Sequence, residues 1–222
     1  MDRRVCQKLV MHPASRCEAV RSVDVAIARD AAGGLGISFR IAGEIGRLRL
    51  AGAAPPLRAD GLWQHSCFEA FLRADGADSY HEFNFSPSGA WAAWRFTGRR
   101  TGRSSPIMTA PTLQAERLAS SFGFCAVVPL AELPDLARAA TIHAGFSAVI
   151  EDEHGGLSYW ALAHASPEPD FHDPASFTLA LPAASRLTAT STLRTASQRD
   201  AGCITSFWHT RRFMRSAHYE VR

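Results

Sequence analysis

Between residues 63 and 95 the sequence places flat aromatic rings among side chains that make paired hydrogen bonds: Trp63, His65, Glu69, Tyr80, Glu82, Asn84, Trp91 and Arg95. Sugars need that mixture, because pyranose C–H faces stack on aromatic planes while carboxylates, amides and guanidinium groups hold the hydroxyls. Other chemistries draw on some of the same residues and on groups elsewhere in the chain. Glu69 and Glu82 could form the carboxylate pair of a glycosidase. Cys67 stands beside His65, as a thiol nucleophile stands beside its base, but no third residue orients the pair. The histidines at 65, 81, 143, 164 and 172 fit no HExxH or CxxCH spacing, although Met108 could serve a Met–His haem pair. Asp75, Asp78, Asp152 and Glu153 are too few for a calcium site, and turn chemistry accounts for them.

The elements that must position these groups are strands. Short apolar alternations separated by Gly, Pro, Asp and Ser run through 23–29, 35–41, 45–50, 63–72, 80–86, 90–96, 113–118, 122–129, 142–151 and 157–163, the pattern of an all-β chain. The segments at 63–72, 80–86 and 90–96 read as an antiparallel meander. Side chains alternate across a strand, so one face is expected to hold Phe68, Leu72, Phe83, Phe85, Trp94 and Phe96 as core. The opposite face then gathers Trp63, His65, Glu69, Tyr80, Glu82, Asn84, Trp91 and Arg95. A solvated outer face carrying cross-strand Glu–Arg pairs satisfies the same alternation. One stretch departs from strand spacing: 129–139, PLAELPDLARA, reads as a short helical connector.

Hydrophobic residues make up 46% of the 222-residue chain and charged residues 20%, which excludes a wholly disordered protein. No apolar run is long enough for a membrane span. No secretory signal follows the first residues, so a cytoplasmic address is expected. The five cysteines are scattered and contain no CxxC pair, which suggests neither a disulfide framework nor zinc. The net charge is +3, but seven arginines against two acids put +5 on residues 183–222 and leave −2 on residues 1–182. The basic balance therefore belongs to a Ser/Thr-rich tail, expected to be flexible and open to a protein partner, and it argues no nucleic-acid face on the body. Two domains follow, 1–182 and the tail 183–222. Arg99, Arg100 and Arg103 in the loop after Arg95 would offer positive charge to an acidic or phosphorylated sugar.

LWQHSCFEAFL at 62–72, YHEFNFSPSGAWAAWRF at 80–96 and YWALAHASPEPDFHDPASFTLAL at 159–181 resemble the DOMON-like domains related to family 9 carbohydrate-binding modules, in particular the bacterial MurB-like DOMON subgroup. The resemblance covers about residues 9–182. It implies an immunoglobulin-like antiparallel β-sandwich whose wider superfamily binds sugars or haem. In sugar-binding relatives tryptophans sandwich a terminal sugar and polar side chains hold it, which maps onto Glu69, Glu82 and Asn84. The expectation is a non-catalytic module with no cofactor, binding a sugar or glycoconjugate through Trp63, His65, Glu69, Glu82, Asn84, Trp91 and Arg95. A haem-binding electron-transfer domain and a scaffolding domain that binds protein are the alternatives.

Overall fold

The computed structural model describes residues 4–29 and 33–183. Among them the chain forms strands Val5–Met11 (β1), Val20–Arg29 (β2), Leu35–Gly43 (β3), Cys67–Ala74 (β4), Tyr80–Phe85 (β5), Trp91–Phe96 (β6), Thr112–Arg117 (β7), Ser121–Val128 (β8), Thr141–Glu151 (β9), Leu157–Ala161 (β10) and Leu179–Pro182 (β11). Every strand pairing is antiparallel, in the order β6-β5-β4-β9-β10-β1-β2-β3-β8-β7, with β11 added to β9. The all-β sandwich expected from the sequence is the fold that forms. Its two layers are joined through β1, whose residues Val5–Leu9 pair with β2 while Val10 and Met11 pair with β10.

Rings crossing between the layers close the sandwich. Phe68 of β4 stacks on Phe39 of β3 at 4.8 Å and on Phe124 and Phe122 of β8 at 5.0 and 6.2 Å. Around it are buried Val25, Ile37, Ile41, Leu72, Phe83, Phe85, Ala126, Phe146 and Ile150. Each is the inward member of an alternating strand, so burial of apolar surface sets the register of both layers. No described helix is long and apolar enough to cross a membrane.

The connector at 129–139 comprises a 3-10 turn, Leu130–Glu132, and one α-helical turn, Pro134–Ala137 (α1), with Pro134 at the helix start. Helical turns are not confined to it. Ile45–Arg47 forms a 3-10 turn where a strand was expected over 45–50, Pro174–Ser176 forms another, and Leu62–Gln64 forms one in place of the first residues of the expected 63–72 strand. The last is entered through Gly61 at φ 72°, a left-handed conformation that a glycine adopts without steric cost. Strand alternation therefore begins at Cys67, and the faces of Trp63 and His65 are decided by the turn.

The face assignment holds for β4 and β5 and is reversed in β6. Phe85 pairs with Trp91, Phe83 with Ala93 and His81 with Arg95, and directly opposed residues share a face. Trp91, 5% exposed, and Ala93 therefore join the core, whereas Trp94 and Phe96 point to the outer face. Both faces of β6 carry a tryptophan, so composition could not choose between them. The choice comes from the turn after β5, where Ser86 N–H donates to Ala90 O and Gly89 sits at φ 96°. The boundary expected at 182/183 falls at the end of β11, and beyond Ala183 the expected tail lies outside the described residues.

Phe68→Ala and Trp91→Ala should each lower the unfolding free energy by about 3–5 kcal/mol, the cost of removing a large buried ring, whereas Trp63→Ala should change it by about 0.5 kcal/mol. Urea unfolding followed by far-UV circular dichroism measures all three. A Trp91 cost as small as that of Trp63 would contradict the β6 register.

Candidate functional site

The outer face of the β6-β5-β4-β9-β10 layer carries a polar row that the pairing register assembles side by side. Asn84 of β5 lies opposite Glu69 of β4, and Glu69 lies opposite Ser147 of β9. One step along the strands, Trp94, Glu82, Phe71 and Gly145 form the next row. Both carboxyl groups and the amide are buried, with Glu69 3% exposed and Asn84 1%. They form the floor of a cleft of about 790 Å³.

Buried polar groups must be hydrogen-bonded, and this floor is largely so. Asn84 Nδ2 donates to Glu82 Oε1 at 2.6 Å, and Ser147 Oγ donates to Glu69 Oε2 at 3.0 Å. Among the described residues nothing donates to Glu69 Oε1. Burial, reinforced by the nearby Glu82 charge, pushes the Glu69 carboxyl up to about 8, and burial also raises Glu82. At neutral pH Glu69 is thus mainly a carboxylic acid, able to donate one hydrogen bond as well as accept. Beside it Cys67 is a neutral thiol, pushed well up by burial. It is hydrogen-bonded weakly to Phe68 O and Asn84 Oδ1 rather than to a base.

The walls come from loops. Trp63, carried by the 62–64 turn, is 52% exposed and lines one side. Tyr159 of β10 and Phe171 line another, their rings 6.2 Å apart. Trp94 also lines the cleft, with the Arg103 guanidinium 4.4 Å above its ring. The arginine-rich loop is anchored rather than free. Arg99 and Arg100 both bind Asp170, at 2.6 and 2.9 Å, Arg99 also reaches Asp173, and Arg103 lies 3.5 Å from Asp60. Against the upward pull of burial, the two arginines hold Asp170 down at about 2. The positive rim expected for an acidic sugar is therefore already neutralised by aspartates.

Arg100 occupies the left-handed region at φ 55°, a conformation costing a non-glycine residue about 1–2 kcal/mol. Its backbone N–H donates to Tyr80 Oη at 3.1 Å, and Tyr80 Oη lies 2.8 Å from His172 Nδ1. On the other side of the ring, His172 Nε2 lies 3.7 Å from Glu82 Oε2. Burial, aided by the Arg100 charge, lowers His172 to about 4, so it is a neutral ring at the cleft wall. Next to it Phe71, Tyr80, Phe96 and Phe177 pack together. Gly145 makes room there, since a Cβ on it would stand 2.8 Å from the Phe177 ring.

Of the residues singled out in the sequence, Trp63, Glu69, Glu82 and Asn84 meet at the cleft. Three do not. Trp91 lies in the sandwich interior with Arg58 4.9 Å over its ring. Arg95 shares the inner side with His81, and both bind Asp135 of α1, at 3.3 and 2.9 Å. His65, past the end of the 62–64 turn, pairs with Glu151 at 2.8 Å. The reversed face of β6 displaced Trp91 and Arg95, and the turn displaced His65. Arg100 and Arg103, expected at the rim, do line the cleft, and the lining residues that sequence reasoning left out are Trp94, Tyr159, Phe171 and His172. Only Trp94 had a local signal, its parity with Phe96; the others arrive through long-range pairing and loops. Met108, invoked for a haem pair, packs partly buried against the sandwich core. Among the described residues no three His, Cys, Asp or Glu side chains converge to hold a metal ion.

No protein-family model matches the chain, and no curated protein matches it. Solved structures do. A protein from Bacteroides uniformis ATCC 8492, proposed to bind carbohydrate, superposes with a TM-score of 0.58 at 16% identity, covering 78% of this chain and 84% of that one. A family 9 carbohydrate-binding module from Caldicellulosiruptor kristjanssonii in complex with cellotriose gives 0.49 at 11% identity over 86% of this chain and 88% of the module. Its complex with glucose gives 0.47 at 10% identity over 83% and 88%. At these identities the likeness is one of fold.

Proposed function

We propose that this chain is a non-catalytic sugar-binding module of the DOMON-like kind related to family 9 carbohydrate-binding modules. One observation carries the reading: a row of buried hydrogen-bonding groups, Glu69, Glu82 and Asn84, forms the floor of a cleft whose wall is the half-exposed ring of Trp63. An indole held partly in water exposes apolar area that a sugar's C–H face would cover. The floor supplies both senses of hydrogen bond, because Glu69 as an acid donates while Glu82 and the Asn84 carbonyl accept. The reading as a binding module is supported by the partners these groups already have. Glu82 is engaged by Asn84, and the protonated Cys67 thiol has no base against it.

Isothermal titration with glucose, cellotriose and other neutral saccharides, read alongside tryptophan fluorescence, tests the reading. Trp63→Ala should weaken the binding of the saccharide that titrates by about tenfold or more, the usual cost of losing an aromatic anchor, and Asn84→Ala should weaken it similarly. Unchanged affinity in both variants would remove this cleft as the site.

The protonated floor also leaves a trace in the unliganded protein. Glu69 binds its proton up to about pH 8 when folded, whereas the unfolded chain gives up that proton in the ordinary carboxylate range. Stability linked to Glu69 is therefore fully present below that range and is lost as pH rises through about 8, by an amount on the order of a few kcal/mol. Glu82, raised in the same direction, adds to the slope. Urea unfolding between pH 4.5 and pH 9 should show this decline, and Glu69→Gln should flatten it; an equally steep decline in the variant would mean that Glu69 is ionised throughout.

A further inference from the structure

The charges at the cleft are unevenly distributed between floor and rim. Asp60, Glu69, Glu82 and Glu168 line it against Arg100 and Arg103, and both arginines are already committed, to Asp170 and Asp60. Facing Glu69 are Glu82 from β5, Ser147 from β9, Cys67 on its own strand and, further off, Arg100 from the loop after β6. Facing Glu82 are Asn84, the neutral His172, and the more distant Arg100, Arg103 and Asp60. No cationic side chain among the described residues makes an ion pair with Glu69. One of its oxygens receives no hydrogen bond, although the residue is 3% exposed. A buried carboxyl pair with no ion-paired cation is costly, and both carboxyl residues line the cleft that the ligand occupies. The aromatic walls, Trp63, Tyr159 and Phe171, favour a cation over an anion as well, through the negative faces of their rings.

We propose that the ligand carries a protonated amine, and that the cleft therefore selects an amino sugar whose ammonium group sits between Glu69 and Glu82. This rests on the sugar-binding reading and narrows its ligand class. An ammonium entering there supplies the missing countercharge and donates to the open Glu69 oxygen. The Glu69 proton then leaves to solvent, so the amine keeps its protons and one proton is released for each ligand bound. A neutral sugar gains no such ion pair, and an acidic sugar meets two carboxyl groups and no free arginine.

The test uses the full chain with D-glucosamine and its β-1,4-linked trimer, against D-glucose and cellotriose as uncharged counterparts of the same ring geometry. At pH 6.5, where the amine is charged, the amino sugars should bind about tenfold to a hundredfold more tightly, the range of a charge-assisted pair over a neutral hydrogen bond. Titration in buffers of different ionisation enthalpy should show proton release for the amino sugars and none for glucose. In Glu69→Gln the affinity ratio should fall to about one and the proton release should vanish. Uncharged sugars binding as tightly as amino sugars would overturn the amine assignment and leave the sugar reading standing. If no saccharide of either kind binds, both fall.

Discussion

The structure depends on one strand being buried on both of its faces. β4 lies between β5 and β9 in the middle of its layer, and all of Cys67–Leu72 is buried. Phe68 can reach the stack of Phe39, Phe122 and Phe124 only by pointing inward, and the two-residue period then turns Glu69 outward. A single apolar interaction thereby fixes where a carboxyl group stands and which neighbours, Asn84 and Ser147, stand beside it. The sandwich core and the cleft floor are thus two readings of one register, and slipping it would destroy both.

Placing carboxyl groups at such a position costs stability. The floor meets that cost in three ways: Asn84 bonds Glu82, Ser147 bonds Glu69, and Glu69 holds its proton. The third is incomplete compensation, since it leaves one Glu69 oxygen without a donor from the protein at the cleft floor. Groups kept under-satisfied in a preformed cleft are the ones a ligand can complete, and the folding free energy is spent before the ligand arrives.

The walls obey a different logic. The loop after β6 carries Arg100 in an unfavourable backbone conformation, held by the Tyr80 oxygen and by Asp170. Asp170 in turn accepts from the His172 backbone N–H, and His172 Nδ1 shares a hydrogen bond with Tyr80 Oη. Two loops separated by some 70 residues are therefore locked together by charge and by a chain of hydrogen bonds, which rigidifies one wall and spends the arginine charges inside the protein. Trp63, by contrast, stands half in water on its turn.

The all-β class, the part of the expected strands 63–72 and 80–86 that forms β4 and β5, their two faces and the grouping of Glu69, Glu82 and Asn84 were legible in the sequence, because alternation is local and Phe68 with Leu72, and Phe83 with Phe85, mark one parity. The third strand was not, since Trp91 and Trp94 give both faces an aromatic ring and only the geometry of the 86–90 turn chooses between them. His65 was misplaced because a left-handed Gly61 starts a 3-10 turn that periodicity does not register. Tyr159, Phe171 and His172 come to the cleft through pairing and contacts between segments far apart in sequence. Their sequence neighbourhoods carry no trace of those contacts. Chain-local periodicity determined which residues could share a face, and tertiary packing alone decided which face meets the core, which charges are spent on one another and which are left for a ligand.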